Sequence, residues 1–118
     1  MARSAVTVSK MLLFNTAYAV TADAVDLTAD HSIDVSGMNH SKVLVRIAGG
    51  TTEMTVTFKA GGFSDSTIGD LALTVGATDL VVISVESSRF LQDDGTILID
   101  TASAGAVTGA TIEAYLLP

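Results

Sequence analysis

Short stretches of alternating apolar and polar residues dominate this sequence, and they restrict the chain to a β-rich fold. The clearest is residues 53–60, EMTVTFKA, where Met54, Val56 and Phe58 share one face and charged or threonine side chains take the other. A period of two is the pattern of a strand with one buried face, whereas an amphipathic helix repeats every 3.6 residues. No long segment of the chain follows the helical period. The pattern therefore predicts an all-β protein.

Eight segments carry this strand signal. They are rich in β-branched and aliphatic residues, and Gly, Asn, Asp and Ser, which favour turns, lie between them. The segments are residues 10–14, 31–35, 41–48, 53–60, 71–75, 79–85, 96–100 and 110–116. About eight short antiparallel strands with brief connections predict a β-sandwich, a jelly roll or a small barrel. We expect residues 10–118 to form this single domain.

Two of these regions carry more specific expectations. Residues 41–48 and 53–60 flank the sequence Gly-Gly-Thr-Thr, which predicts a β-hairpin whose glycines adopt positive φ. Residues 79–85, DLVVISV, form a nearly continuous apolar run. That run predicts a strand that is either buried on both faces or covered by a partner.

The composition limits the classes of function. The 118 residues include 13 acidic and 6 basic residues, for a net charge of -7, which argues against binding to nucleic acid or to anionic membranes. Cysteine is absent, so disulfides and thiolate zinc sites are excluded. Charged residues make up only 16%, against about 25% in typical domains. With a mean hydropathy of +0.51, this predicts that part of the surface is covered by other copies or by a partner.

The N-terminal segment differs from the rest. Residues 1–9 are small and mostly polar, which predicts either an extended arm or a first strand. As an arm, the segment would become ordered on a neighbouring subunit through its candidate interface residues Ala2, Arg3, Ser4, Ala5, Val6, Thr7 and Val8. Residues 1–24 resemble a secretory signal only superficially, because Asn15 and Thr16 interrupt the apolar stretch.

The sequence offers few groups for catalysis. His31 and His40 are the only histidines, and no nucleophile motif, phosphate-binding loop or dinucleotide fingerprint accompanies them. Carboxylates in residues 61–70 and at Asp93–Asp94 lack the ligand spacing of a calcium loop. We therefore expect a protein that is not an enzyme and that has no catalytic residues, no cofactor and no metal site.

Residues 86–95, ESSRFLQDDG, place an arginine in a turn-like segment between two apolar strands. The segment predicts a tight turn or one helical turn, in which Arg89 bonds backbone carbonyls or pairs with a nearby carboxylate. Phe90 would then close one end of the core. We predict a structural corner made of Glu86, Arg89, Phe90, Asp94 and Gly95. The functional alternative is that Arg89 binds a partner's carboxylate.

The chain from about residue 26 to 116 resembles a family of small decoration, or cement, proteins from the heads of tailed bacteriophages. The resemblance rests on HSIDVSG (31–37), on FKAGGFSDSTIGDLALTV (58–75), on SSRFLQDDGTILID (87–100) and on the closing IEAYLLP (112–118). These motifs consist of strand and turn residues, and none of them carries catalytic groups. The short loop at residues 61–69 is a departure that puts any partner contact by that loop in doubt.

The resemblance implies a β-sandwich or jelly-roll protein, commonly a homotrimer. It would bind the outer surface of the capsid, bridge major capsid protein subunits and assemble in the bacterial cytoplasm. Two alternatives stay open: a carbohydrate-binding β-sandwich module on a virion surface, and a structural component of the tail or connector. The first is weakened by the absence of Trp and by the presence of only two tyrosines, Tyr18 and Tyr115, since sugar-binding platforms use aromatic rings.

Overall fold

The chain folds into two β-sheets, and a computed structural model describes residues 3–62, 67–84 and 87–118, with only the backbone of Ser87 and Ser88. The described strands are β1 (Ser4–Ala5), β2 (Val8–Lys10), β3 (Asp23–Ala24), β4 (His31–Asp34), β5 (Val43–Ala48), β6 (Met54–Phe58), β7 (Leu71–Val75), β8 (Leu80–Ile83), β9 (Thr96–Ala102) and β10 (Thr111–Leu116). A 3₁₀ turn (His40–Lys42) precedes β5, and one helical turn, α1 (Ser87–Phe90), precedes β9. Within the described ranges, neither is long and apolar enough to cross a membrane. The predicted all-β class is confirmed.

The strand connections follow the jelly-roll order. Sheet A runs β1-β4-β9-β6-β7, and sheet B runs β2-β10-β5-β8, with β3 also paired to β10. From β3 to β10 the chain changes sheet at every connection except β6 to β7, and all pairings among these eight strands are antiparallel. This alternation is the connectivity of a double-sheet jelly roll. Seven of the eight predicted segments form β4–β10 and pair in antiparallel fashion, whereas β3 was not predicted and β1 and β2 pair in parallel with their neighbours.

The core lies between the inner faces of the two sheets and follows the predicted alternation. In sheet A, Met54, Val56 and Phe58 are at most 1% exposed, and in sheet B, Ile47 and Ile112 are equally buried. Their outward neighbours along each strand are partly or fully exposed, except Glu113 beside Ile112, which is buried. Full burial of each such side chain stabilises the fold by about 1.5–3 kcal/mol relative to exposure, so these residues provide much of the driving force for folding.

The N-terminal segment belongs to the sandwich. β1 extends sheet A beside β4, β2 extends sheet B beside β10, and between them the chain crosses from one sheet to the other. At the crossing Val6 is 4% exposed, and its N–H donates to the Ser32 carbonyl at 2.8 Å. Of the two predicted alternatives, the first strand is therefore correct and the extended arm is wrong. Small residues suffice here because the backbone of the segment is paired with both sheets, and only Val6 and Val8 reach the core.

The predicted hairpin between residues 41–48 and 53–60 is wrong. Both strands form, as β5 and β6, but β5 lies in sheet B and β6 in sheet A. Gly49 and Gly50 make the crossing possible because a Cβ at either position would overlap a backbone carbonyl, that of Gly76 or of Thr108. The glycines are thus needed for close packing of the backbone, and neither has the positive φ that a hairpin turn would require.

The predicted strand at residues 10–14 is also wrong. β2 ends at Lys10, and the apolar residues after it form a loop that leads to β3. Leu12, Leu13 and Phe14 are 68%, 64% and 76% exposed. An apolar run with strand composition therefore lies on the surface here.

Candidate interaction surfaces

The loop between β2 and β3, residues 11–22, is an exposed apolar segment with anchored ends; we call it the apolar loop. Its first residue, Met11, donates its N–H to the Leu116 carbonyl at 2.8 Å, and Thr21 N–H donates to Ser9 Oγ at 3.1 Å. Within the loop, the Tyr18 hydroxyl accepts from Leu13 N–H at 3.0 Å. None of the twelve residues is charged. The loop therefore presents large apolar side chains from a fixed position beside β2 and β10.

A second apolar surface lies at the opposite edge of sheet B, on β8; we call it the edge patch. Leu80 and Val82 are each 57% exposed and point to the outer face. In the described part of the chain, β8 pairs only with β5. The prediction that residues 79–85 are buried on both faces is therefore wrong for the isolated chain. The alternative, that a partner covers this strand, stays a prediction, and Val85 lies outside the described residues.

An ion pair lies on the outer face of sheet B between these two surfaces. Arg46 Nη1 donates to both carboxylate oxygens of Glu113 at 3.0 Å, and the Tyr115 hydroxyl donates to the same carboxylate. Although Glu113 points outward, its side chain is only 7% exposed, against 36% for Arg46. The carboxylate is thus neutralised within the chain. This face could be covered by a partner without leaving the Glu113 charge unpaired.

The outer face of sheet A is polar and held by ion pairs. Arg3 Nη1 lies 2.6 Å from Asp100 Oδ1, and Lys59 Nζ lies 2.7 Å from Asp70 Oδ2. The hydrogen bond from Lys59 lowers the pKa of Asp70 below its ordinary value, and Ala60 N–H adds to this effect. The same hydrogen bond raises the pKa of Lys59. The first pair joins the residue before β1 to β9, and the second joins the residue before β7 to the residue after β6.

His31 forms a buried clasp between β1 and the turn before β4. Its ring is 1% exposed, and Nε2 accepts from Asp26 N–H at 2.9 Å, so the proton lies on Nδ1, which donates to the Ser4 carbonyl at 3.2 Å. Asp26 in turn accepts from Ser4 Oγ at 2.9 Å and from the N–H groups of Thr28 and Ala29. Those bonds, that from Ala29 above all, hold the pKa of Asp26 below its ordinary value. Both ring nitrogens are therefore engaged in structural contacts.

The predicted corner holds the start of β7. Arg89, in α1, donates from Nε to the Gly69 carbonyl at 3.0 Å and from Nη2 to the Asp70 carbonyl at 3.1 Å. Its guanidinium carbon lies 4.8 Å from the centre of the Phe90 ring. The sequence left two kinds of partner open for Arg89, backbone carbonyls or a nearby carboxylate. The structure shows bonds to backbone carbonyls, in the segment just before β7.

The other corner residues have separate local roles. Phe90 is 2% exposed and packs edge-to-face on Phe58, with ring centres 6.0 Å apart. Asp94 Oδ1 accepts from Thr96 N–H and Oγ1, at 3.1 and 2.6 Å, which closes the turn into β9. Gly95 has a φ of 85°, the conformation that favours glycine, and it would meet Ser36 if it carried a side chain. Glu86 lies outside the described residues.

The interface residues predicted from the sequence lie in different environments in the structure. In the N-terminal set, Val6 is buried and Arg3 pairs with Asp100, while Ala5 and Thr7 are exposed; Ala2 lies outside the described residues. Their binding to a partner stays a prediction. The apolar loop was missed because its apolar run was interpreted as a strand. The twelve-residue stretch without a charge was the signal that could have indicated it.

Comparisons with protein-family models, with curated proteins and with solved structures give no match for this chain. Within the described residues, no group of three or more His, Asp or Glu side chains is arranged to hold a metal ion. The arguments about function therefore rest on the surfaces themselves.

Proposed function

We propose that the chain is a structural protein of a tailed-phage head. In this role a homotrimer binds the outer surface of the capsid and stabilises it by bridging major capsid protein subunits. The observation that carries the proposal is the concentration of exposed apolar side chains. Among the described residues, seven large apolar side chains are at least 46% exposed, and six of them lie on the apolar loop or the edge patch: Leu12, Leu13, Phe14, Val20, Leu80 and Val82.

Such surfaces support a function based on assembly. Contiguous exposed apolar patches mark sites of protein contact, and a jelly roll presents them on a rigid scaffold. The resemblance of residues 26–116 to head decoration proteins supplies the identity of the proposed partner. The net charge of -7 is consistent with a protein partner and unfavourable for nucleic acid or anionic lipid.

The test is co-sedimentation of the purified chain with capsid shells of the phage that encodes it, prepared without their decoration protein. We expect saturable binding and a higher melting temperature for the decorated shells. Binding to purified tails in place of heads would favour the tail or connector alternative. Binding to glycans without binding to shells would favour the carbohydrate-binding alternative. Either result would overturn the proposal.

A further inference from the structure

The two apolar surfaces lie at opposite edges of the same sheet. The apolar loop joins β2 and β3, which both pair with β10, whereas the edge patch is on β8, beyond β5. At about 4.8 Å per strand, β2 and β8 are separated by roughly 14 Å across the sheet. One surface is a loop with protruding side chains, and the other is a strand edge with two outward side chains. They are therefore different kinds of surface at different edges of the sheet.

Two different patches on one subunit are what a head-to-tail contact requires. When patch one of each copy binds patch two of the next, the contact repeats around a ring if the rotation closes. A two-fold contact would instead need the loop of each copy to lie on the edge patch of the other at the same time. The apolar loop and the edge patch lie at opposite edges of sheet B, so a copy that binds through one of them can leave the other for the next copy, as in a head-to-tail arrangement.

The charge distribution indicates that the partner at these surfaces is a second copy of the chain. Each copy carries a net charge of -7, so copies repel each other wherever their acidic surfaces meet. The apolar loop has no charged residue, and residues 80–85 have none either. Between them, the Glu113 carboxylate is neutralised by Arg46. Two copies can thus approach along sheet B with little repulsion.

The unpaired edge of β8 adds a reason for an ordered contact. Among the described strands, β8 has a neighbour on one side only, and its sequence LVVI contains none of the charges or prolines that usually protect an edge strand. An apolar segment laid against this edge covers Leu80 and Val82 and shields the free backbone groups from water. The apolar loop, with its three consecutive large side chains, is suited to this position.

We propose that the chain self-associates head to tail, with the apolar loop of one copy packed on the edge patch of the next. This inference rests on the self-association contained in the proposed function, and it specifies the two surfaces that make the contact. In the closed trimer, every loop is covered by the neighbouring copy. The outer face of sheet A stays free for other contacts.

The test uses two double variants that each remove one surface. Leu12→Ser with Phe14→Ser removes the loop surface, and Leu80→Thr with Val82→Thr removes the edge patch while keeping strand-favouring side chains. The matched control is Ala72→Ser with Thr74→Ser, at outward positions on β7, the edge strand of sheet A. All six positions are exposed, so far-UV circular dichroism should be unchanged.

Sedimentation velocity at micromolar concentration gives the readout. We expect the wild-type chain and the β7 control to assemble into the same oligomer, and each double variant to associate at least about tenfold more weakly. A mixture of the two double variants should form dimers only. In that mixture the intact edge patch of one variant binds the intact loop of the other, and the remaining surfaces cannot extend the assembly.

Other outcomes overturn the inference. A wild-type chain that is monomeric overturns the inference. A double variant that assembles like the wild-type chain also overturns it, because the surface which that variant lacks would then be dispensable. Failure of the mixture to form dimers excludes the loop-to-edge contact. Co-sedimentation with capsid shells is measured on the same samples. Head-to-tail assembly without binding to shells would refute only the capsid proposal. Binding to shells by a chain that is monomeric in solution would refute this inference and the free trimer, and would leave the capsid-binding part of the proposed function in place.

Discussion

The two sheets are alike on their inner faces and differ on their outer faces. Inside, both present mostly apolar side chains at every second position. Outside, sheet A carries the threonines of β6 together with the Arg3–Asp100 and Lys59–Asp70 pairs. Sheet B carries Leu80, Val82 and the Arg46–Glu113 pair, whose carboxylate is buried. Since both outer faces belong to the same sandwich, core formation alone cannot account for the difference. The self-association proposed above would account for it, because it covers sheet B and leaves sheet A facing water.

The ion pairs of the two outer faces should differ most in their contribution to stability. Glu113→Gln leaves Arg46 without its carboxylate and places an uncharged amide in a site that is 7% exposed. We expect a loss of about 2–3 kcal/mol, toward the lower end of the cost of breaking a buried pair because Arg46 is partly exposed. Asp100→Asn on sheet A, where the carboxylate is 36% exposed, should cost less than about 1 kcal/mol.

Urea denaturation of both variants, beside the wild-type chain, measures this difference. Equal costs for Glu113→Gln and Asp100→Asn would show that the carboxylate on sheet B is as well hydrated as that on sheet A. The distinction between a water-facing and a covered outer face would then be lost.

A substitution at Val6, between β1 and β2, tests whether the N-terminal segment joins the two sheets within one chain. Val6→Ala removes two methyl groups from a site that is 4% exposed, and we expect a loss of about 2 kcal/mol. Thr7→Ala, at the next and exposed position, is the control and should change the free energy of unfolding by less than about 0.5 kcal/mol. A neutral Val6→Ala would mean that the segment is an arm in solution, as one sequence interpretation held.

The buried faces of the strands could be predicted from the sequence, whereas the sheet to which each strand belongs could not. The inward residues of β6, β9 and β10 were predictable because alternation reports which face of a strand is buried. Alternation does not report which sheet a strand joins, so β5 and β6 were expected as one hairpin although they lie in different sheets. Val6 was assigned to a partner interface and not to the core, because the sequence of a short segment does not show whether its apolar side chains are buried by their own chain or by a neighbour.

The candidate surfaces were harder to predict than the fold. A strand-like apolar run predicts burial, and nothing local separates a run buried by its own chain from one left on the surface. Residues 10–14 and 79–85 had the same apolar character as core strands, yet Leu12–Phe14 and Leu80 are exposed. Only the pairing of β2 and β8 in three dimensions assigns these residues to the surface. By contrast, Arg89 was expected in a structural corner because its neighbours are turn residues.

Arg89 lies beside the start of β7, which is an edge strand of sheet A among the described strands. Its bonds to the Gly69 and Asp70 carbonyls fix the entry to β7, the outermost strand of that sheet. We expect Arg89→Ala to cost about 1–2 kcal/mol, because two carbonyls lose a charged donor, and Arg89→Lys to recover only part of it. Chemical denaturation measures both variants. A change below about 0.5 kcal/mol for Arg89→Ala would place the residue among ordinary surface positions. Unchanged stability with lost binding to shells would instead assign Arg89 to the partner contact.

The smallest expected effect is a dependence of stability on pH that comes from the outer face of sheet A. The pKa of Asp70 is lowered in the folded chain, chiefly by the Lys59 ammonium, from an ordinary value of about 3.9. Its stabilising contribution is therefore complete above about pH 4 and is lost as the pH falls through the lower, folded pKa. The pKa of Lys59 is raised, so its contribution is present below its ordinary value of about 10.4 and is lost as the pH rises through the folded pKa.

Asp70→Asn should flatten the pH profile of the free energy of unfolding on both the acid and the alkaline side. Lys59→Met should do the same, since it removes the main cause of the Asp70 shift. An acid limb that stays as steep in both variants as in the wild-type chain would mean that the Lys59–Asp70 pair is broken by water in solution. The ion pairs of sheet A would then be no evidence that its outer face is organised differently from that of sheet B.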